Sequence, residues 1–128
     1  METVGLLKCG QVSKEFGGLQ ALRNVDLSVI ENSITGLVGP NGSGKSTLLN
    51  LISGVYKPDS GKIIFMDEDI SKLPPYAICA RGITKTSQTV QSFPDMTSIE
   101  NVLIGCLFAV KKRKTEWGYC WLLLSKNR

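Results

Sequence analysis

Histidine is absent from this chain of 128 residues. Its absence removes the commonest general base, the imidazole metal ligand and every His-dependent triad. Cysteine is sparse, with four residues at 9, 79, 106 and 120. They form neither the close pairs of a zinc site nor a dense disulfide framework, and read as reduced, mostly buried thiols. Neither sign of charge dominates: fifteen Lys and Arg against eleven Asp and Glu leave +4. That excess suits a phosphate-bearing partner but is too small to argue for nucleic acid, and no nucleic acid is expected. Long apolar runs are missing too. The longest, Val102–Val110 with its glycine, falls short of the roughly 20 residues that cross a bilayer. Met1-Glu2-Thr3-Val4 has neither the basic stretch nor the apolar core of a secretion signal. A cytosolic location is expected.

What remains is ordinary globular material. Hydrophobic residues make up 42% and charged residues 20%, which excludes disorder, collagen and coiled coil. The length fits one domain able to bury roughly two-thirds of its unfolded surface.

Leu6–Ser13 and Leu22–Ile30 read as strands joined through Gly17-Gly18. In the second, Val25, Leu27 and Val29 alternate with Asp26 and Ser28, the period of a half-buried strand. Ile34–Val38 reads as a short apolar strand, Gly39–Ser43 as a glycine-rich loop, and Lys45–Ser53 as a helix stopped by Gly54. Pro58–Gly61 is a turn before a strand at Lys62–Met66. A short helix is expected over Pro75–Ala80, ending near Gly82, and another strand over Ile83–Thr86. Thr97 and Glu100 form a capping box before a helix expected to run to Lys111. Strands alternating with helices predict an α/β fold, a parallel sheet preceded by an antiparallel pair.

The strongest chemical signal is Gly39-Pro40-Asn41-Gly42-Ser43-Gly44-Lys45-Ser46, a full match to G-x-x-x-x-G-K-[ST]. Glycines let backbone amides turn inward around phosphate oxygens, where a Cβ would obstruct. Lys45 is expected to reach the β- and γ-phosphates, and the Ser46 hydroxyl to ligate Mg²⁺. The helix that follows turns its positive end to the same anion. A Gly-Ser turn preceding a lysine by chance would lack the flanking apolar strand and helix. The loop reads as a nucleotide site.

Further landmarks accompany it. Lys14–Leu22, Gly39–Thr47, Pro58–Gly61 and Gln88 resemble successive segments of ABC-transporter ATP-binding subunits. The paired glycines after Phe16 and the stretch Phe93–Val102 are similar to the branched-chain amino-acid importer group. The resemblance spans about Leu6 to Val110. It implies a P-loop NTPase core of the ABC ATPase type, with the carboxy-terminal part missing. Residues 1–110 are then its amino-terminal portion, and 111–128 a basic then apolar tail from a truncated helical subdomain.

The resemblance also implies ATP and Mg²⁺ as cofactors. Phe16 matches the aromatic that stacks on adenine, and Gly39 through Thr47 match the phosphate loop. Gln88 matches the glutamine that contacts Mg²⁺ and the attacking water, although Ser87 stands where the family often has an aromatic. Membrane-spanning permease subunits and a second ATP-binding subunit would be the partners, at the inner face of the cell membrane.

Parts of the family pattern are absent from these residues. No L-S-G-G-Q segment occurs, nor can there be a switch histidine. Ile63-Ile64-Phe65-Met66-Asp67-Glu68 has the look of an acidic catalytic strand, yet it directly follows Pro58–Gly61 and continues as Asp69-Ile70. That context resembles the family's early hairpin. The run Lys111–Lys114 reads as a solvated helix end, with membrane-surface attraction as its alternative. The stretch Trp117–Leu124 reads as an exposed patch prone to association.

Three functional classes compete. One is an ATPase subunit energising import of a polar solute. Another is a non-catalytic nucleotide-binding fragment, and a third is part of a non-transport ABC protein. A P-loop GTPase would need an N-K-x-D segment and a small-molecule kinase an arginine-bearing lid. Neither is present.

Overall fold

The computed structural model describes residues 5–86 and 92–104. The chain divides into two units, Met1–Ile78 and Cys79–Arg128. The first holds a four-stranded sheet of order β2-β1-β3-β4. Its strands are β1 (Gly5–Phe16), β2 (Leu19–Ile30), β3 (Ser60–Phe65) and β4 (Glu68–Asp69), and all their pairings are antiparallel.

The expected opening hairpin is present, and longer at its tip. Gly17 and Gly18, at φ 53 and 87, make the two-residue turn whose left-handed geometry matches strand twist. Phe16 then pairs with Leu19. Val25, Leu27 and Val29 are half-buried while Asp26 and Ser28 are exposed, as their alternation predicts. Bulges interrupt the hairpin, with Gln11 and Asn24 at φ 51 and 46. Side chains occupy the gaps they open. Asp26 accepts the Gln11 amide at 2.9 Å and also its side-chain nitrogen, and Ser13 Oγ accepts the Asn24 amide at 2.9 Å. β3 crosses close to the first bulge. A Cβ on Gly61 would lie 2.4 Å from the Gln11 carbonyl oxygen, so only glycine fits there.

Met66 and Asp67 take φ 48 and 62 between β3 and β4. They form a two-residue hairpin turn, with Phe65 opposite Glu68. The expected early hairpin therefore accounts for the acidic pair.

Helix α1 (Lys45–Ile52) buries Leu48, Leu51 and Ile52. Gly54, at φ 75, closes it in the left-handed conformation. These leucines join Leu7, Cys9, Val12, Leu22, Ile63, Phe65 and Ile70 among the buried apolar residues. Burial pushes the Cys9 thiol up to about 11, consistent with an inert core cysteine. Cys79 is a half-buried free thiol. Helix α2 (Pro75–Ala80) forms where expected and buries Ile78.

Two expected strands do not form. Residues 33–40 carry no ladder, and Ile34 and Val38 are fully exposed. Residues 83–86 are likewise irregular. A parallel strand is held by neighbours distant in sequence, and neither segment has one among the described residues. The described sheet thus contains the antiparallel part of the expected architecture alone.

In the second unit the capping box is complete. Thr97 N and Oγ1 each donate to Glu100 Oε2 at 2.8 Å, and Glu100 N donates to Thr97 Oγ1 at 3.3 Å. Residues 98–104 are helical. Asn101 ties the preceding loop to this helix, donating to the carbonyls of Phe93, Met96 and Thr97 at 3.0–3.1 Å. The rest of the helix expected to Lys111, the basic run, the apolar tail, Cys106 and Cys120 lie outside the described residues.

Candidate functional site

The loop 39–44 leads into α1 through Gly44, whose φ of 86 and ψ of 2 are left-handed. Gly42 is left-handed too, at φ 83. Each lies where a side chain would be strained, so the two glycines set the path of the loop. Gly39 meets a different constraint: a Cβ there would come within 2.8 Å of Ser43 Oγ. Ser43 N closes the loop on the Pro40 carbonyl at 3.3 Å.

Lys45 begins the helix and folds its side chain back over this loop. Its Nζ donates to the Gly39 carbonyl at 2.7 Å, the Pro40 carbonyl at 2.6 Å and Ser43 Oγ at 3.3 Å. The ammonium therefore stands within the loop's curve, close to where inward amides would hold an anion. No side chain caps the amino terminus of α1, and its first turn holds no acidic residue. Its free amides retain the positive end of the helix dipole. Ser46 is exposed in that turn and Thr47 half-buried beside it. A hydroxyl oxygen at this place is a hard donor of the kind Mg²⁺ takes. Asn41 and Pro40, both exposed, form the outer rim.

Packing fixes the loop against the hairpin. A Cβ on Gly44 would lie 2.7 Å from the Ala21 carbonyl oxygen and 2.6 Å from Leu22 Cδ2. Ala21 is two residues beyond Leu19, the partner of Phe16. The glycine loop and Phe16 thus share one end of β2, although they are distant in sequence.

Phe16 is 39% exposed at the end of β1, which leaves ring surface free to stack on a planar ligand. Two residues that the sequence did not single out contact it. The Tyr56 ring stands edge-on at 5.0 Å between centroids, with 70° between planes, and Lys14 Nζ lies 5.3 Å from the Phe16 centroid. Lys14 also donates to Asp59 Oδ1 at 2.7 Å, and the other carboxylate oxygen accepts the Glu15 amide at 2.7 Å. These hydrogen bonds, the Lys14 side chain's first, hold the Asp59 carboxyl below its ordinary value. Pro58–Gly61 announced a turn in the sequence but not the residues its carboxylate would reach.

Asp67 and Glu68 lie across the sheet from this loop. They sit in the β3–β4 hairpin at one edge of the order β2-β1-β3-β4, and the loop abuts β2 at the other. Gln88 lies outside the described residues. Among the described residues, no group of three or more acidic or cysteine side chains gathers to hold a metal.

A family model described as ABC transporter matches residues 22–126. The chain is 46% identical over 100 residues to a protein of Archaeoglobus fulgidus named probable branched-chain amino acid transport ATP-binding protein LivG. It is 41% identical over 100 residues to the high-affinity branched-chain amino acid transport ATP-binding protein LivG of Escherichia coli. Each match covers 78% of this chain and 39% of the relative, so the chain spans about two-fifths of their length. Among solved structures it is similar to an ATP-binding cassette of an ABC transporter in its ADP conformation. That match has a TM-score of 0.74 at 38% identity, over 97% of this chain and 47% of the other. A nucleotide-free cassette matches with a TM-score of 0.66 at 30% identity, over 82% and 47% respectively.

Proposed function

The chain belongs to the ABC transporter family, and from that membership we propose that it binds Mg-ATP as the amino-terminal portion, residues 1–110, of an importer's ATP-binding subunit. One observation carries the reading. The glycine loop, bent by left-handed Gly42 and Gly44, runs directly into an uncapped helix that begins with Lys45.

Residues Gly39 to Thr47 would hold the phosphates and Phe16 the adenine. Lys45 would exchange its bonds to the Gly39 and Pro40 carbonyls for phosphate oxygens. This charge-assisted exchange gains strength because the new acceptor is anionic. Ser46 is the proposed Mg²⁺ ligand from the helix, with Gln88 as the second ligand and water-positioning residue. The bound ion would supply charge neutralisation at the β- and γ-oxygens.

The relatives' branched-chain amino acid transport function supports the same solute class here. The partners would then be membrane-spanning permease subunits and a second ATP-binding subunit, assembled at the cytoplasmic face. Nucleotide binding without transport, the second reading, would use the same loop.

Calorimetric titration tests the common ground of both readings. With Lys45→Ala the ammonium is lost, and affinity for Mg-ATP should fall by roughly tenfold or more. Equal titration curves for parent and variant would refute the site.

A further inference from the structure

Phe16 is fixed from one direction in sequence, the segment Tyr56–Asp59, which follows α1. Four contacts meet there. Tyr56 packs edge-on against the ring at 5.0 Å. Asp59 accepts from Lys14 Nζ and from the Glu15 amide, both at 2.7 Å, pinning the two residues that precede the ring. The Asp59 amide in turn donates to the Ser13 carbonyl at 3.0 Å. Lys14 then reaches the ring itself, its Nζ 5.3 Å from the centroid.

Such fixation matters for a stacking ligand. A phenylalanine at the mouth of a glycine turn, 39% exposed, loses side-chain freedom when a planar ligand covers it. That ordering cost weakens binding unless other contacts have already immobilised the ring. A T-shaped aromatic neighbour restricts rotation of the ring, while the 39% exposure leaves part of its surface for other contacts. Tyr56 is suitably placed because α1 ends just before it: its amide donates to the Asn50 carbonyl at 3.3 Å, which anchors its backbone to the helix that begins with Lys45. One short helix therefore carries the phosphate-facing lysine at its start and the ring-holding tyrosine just past its end.

We propose that Tyr56 is a positioning residue for nucleotide recognition: it holds Phe16 in the orientation that stacks on the base, and links that orientation to α1. The proposal rests on the reading of Phe16 as the base-stacking residue.

The test compares ATP with inorganic tripolyphosphate, both with Mg²⁺, on the full chain. Tyr56→Ala should weaken ATP about three- to tenfold and leave tripolyphosphate within about twofold. Tyr56→Phe keeps the ring and should restore parental ATP affinity. In a Phe16→Ala background, Tyr56→Ala should add no further loss, because the tyrosine acts through the phenylalanine. Circular dichroism checks folding, and Tyr56→Leu substitutes for the alanine variant if that one unfolds. Equal weakening of both ligands by Tyr56→Ala would reduce its role to packing and overturn the proposal. An additive double variant would overturn it too, since Tyr56 would then touch the ligand itself. If Phe16→Ala weakens ATP selectively while Tyr56→Ala leaves it unchanged, positioning fails and base stacking stands. If Phe16→Ala leaves ATP unchanged, the stacking reading falls and takes the proposal with it.

Discussion

Gly44 meets two demands at once. Its φ of 86 is costly for any L side chain, and an added Cβ would collide with Leu22 and with the Ala21 carbonyl. The carbonyl belongs to a strand and cannot withdraw cheaply. Gly44→Ala should therefore destabilise the chain by about 1–3 kcal/mol. The expected result is a lower urea midpoint with the slope unchanged. Gly42 shares the left-handed geometry but has nothing within 4 Å of its would-be Cβ, so alanine there should cost less. A parental midpoint for Gly44→Ala would mean that the loop relaxes freely and does not depend on β2.

At the scale of elements, carboxylates tie turns to their neighbours. Asp59 joins the turn before β3 to the end of β1, and its carboxyl is lowered first by the Lys14 side chain, then by the Glu15 amide. Asp69 is lowered by the Ser71 hydroxyl and amide, and Glu100 by the Thr97 amide and hydroxyl. All three shifts have one sign. A carboxyl depressed on folding contributes stability above its unfolded value and loses it as pH falls through the lower folded value. For Asp59 the window thus opens near the ordinary value of 3.8 and lies below it. Urea unfolding of parent and Asp59→Asn should differ at pH 7, and the gap should close as pH drops below that value. A gap that persists to the acid end would show that the Lys14 pairing adds nothing through charge.

At the scale of the whole molecule, the described sheet keeps the glycine loop and the acidic hairpin apart. The loop abuts β2, whereas Asp67 and Glu68 stand at the β4 edge, with β1 and β3 between. From that edge neither acid could take a proton from water attacking a phosphate held at the proposed loop. The amide of Gln88, proposed above to position water, is too weak a base to deprotonate it. The purified chain with Mg-ATP is expected to release phosphate only at background. Asp67→Ala combined with Glu68→Ala should leave ATP affinity unchanged. Robust turnover that this pair of substitutions abolishes would make the hairpin catalytic after all.

Features encoded by neighbouring residues were legible without coordinates. The glycine loop 39–44, the Gly17-Gly18 turn, the Thr97–Glu100 box and the start of α1 are all decided within a few positions, where backbone sterics and local hydrogen bonds dominate. The alternation from Val25 to Val29 likewise gave its half-buried face. Contacts between distant segments were not legible. Asp59 lies 45 residues from Lys14, and nothing in Pro58–Gly61 names that partner. Tyr56 against Phe16, Gly61 against Gln11 and Gly44 against Ala21 have the same character. Ile34–Val38 marks the boundary most clearly. Its apolar, β-branched composition suits a strand, but a strand is a relation between two segments, and among the described residues no second segment pairs with it. Local chemistry determined the path of the proposed binding loop, while tertiary packing decided which side chains brace it and which strands pair among the described residues.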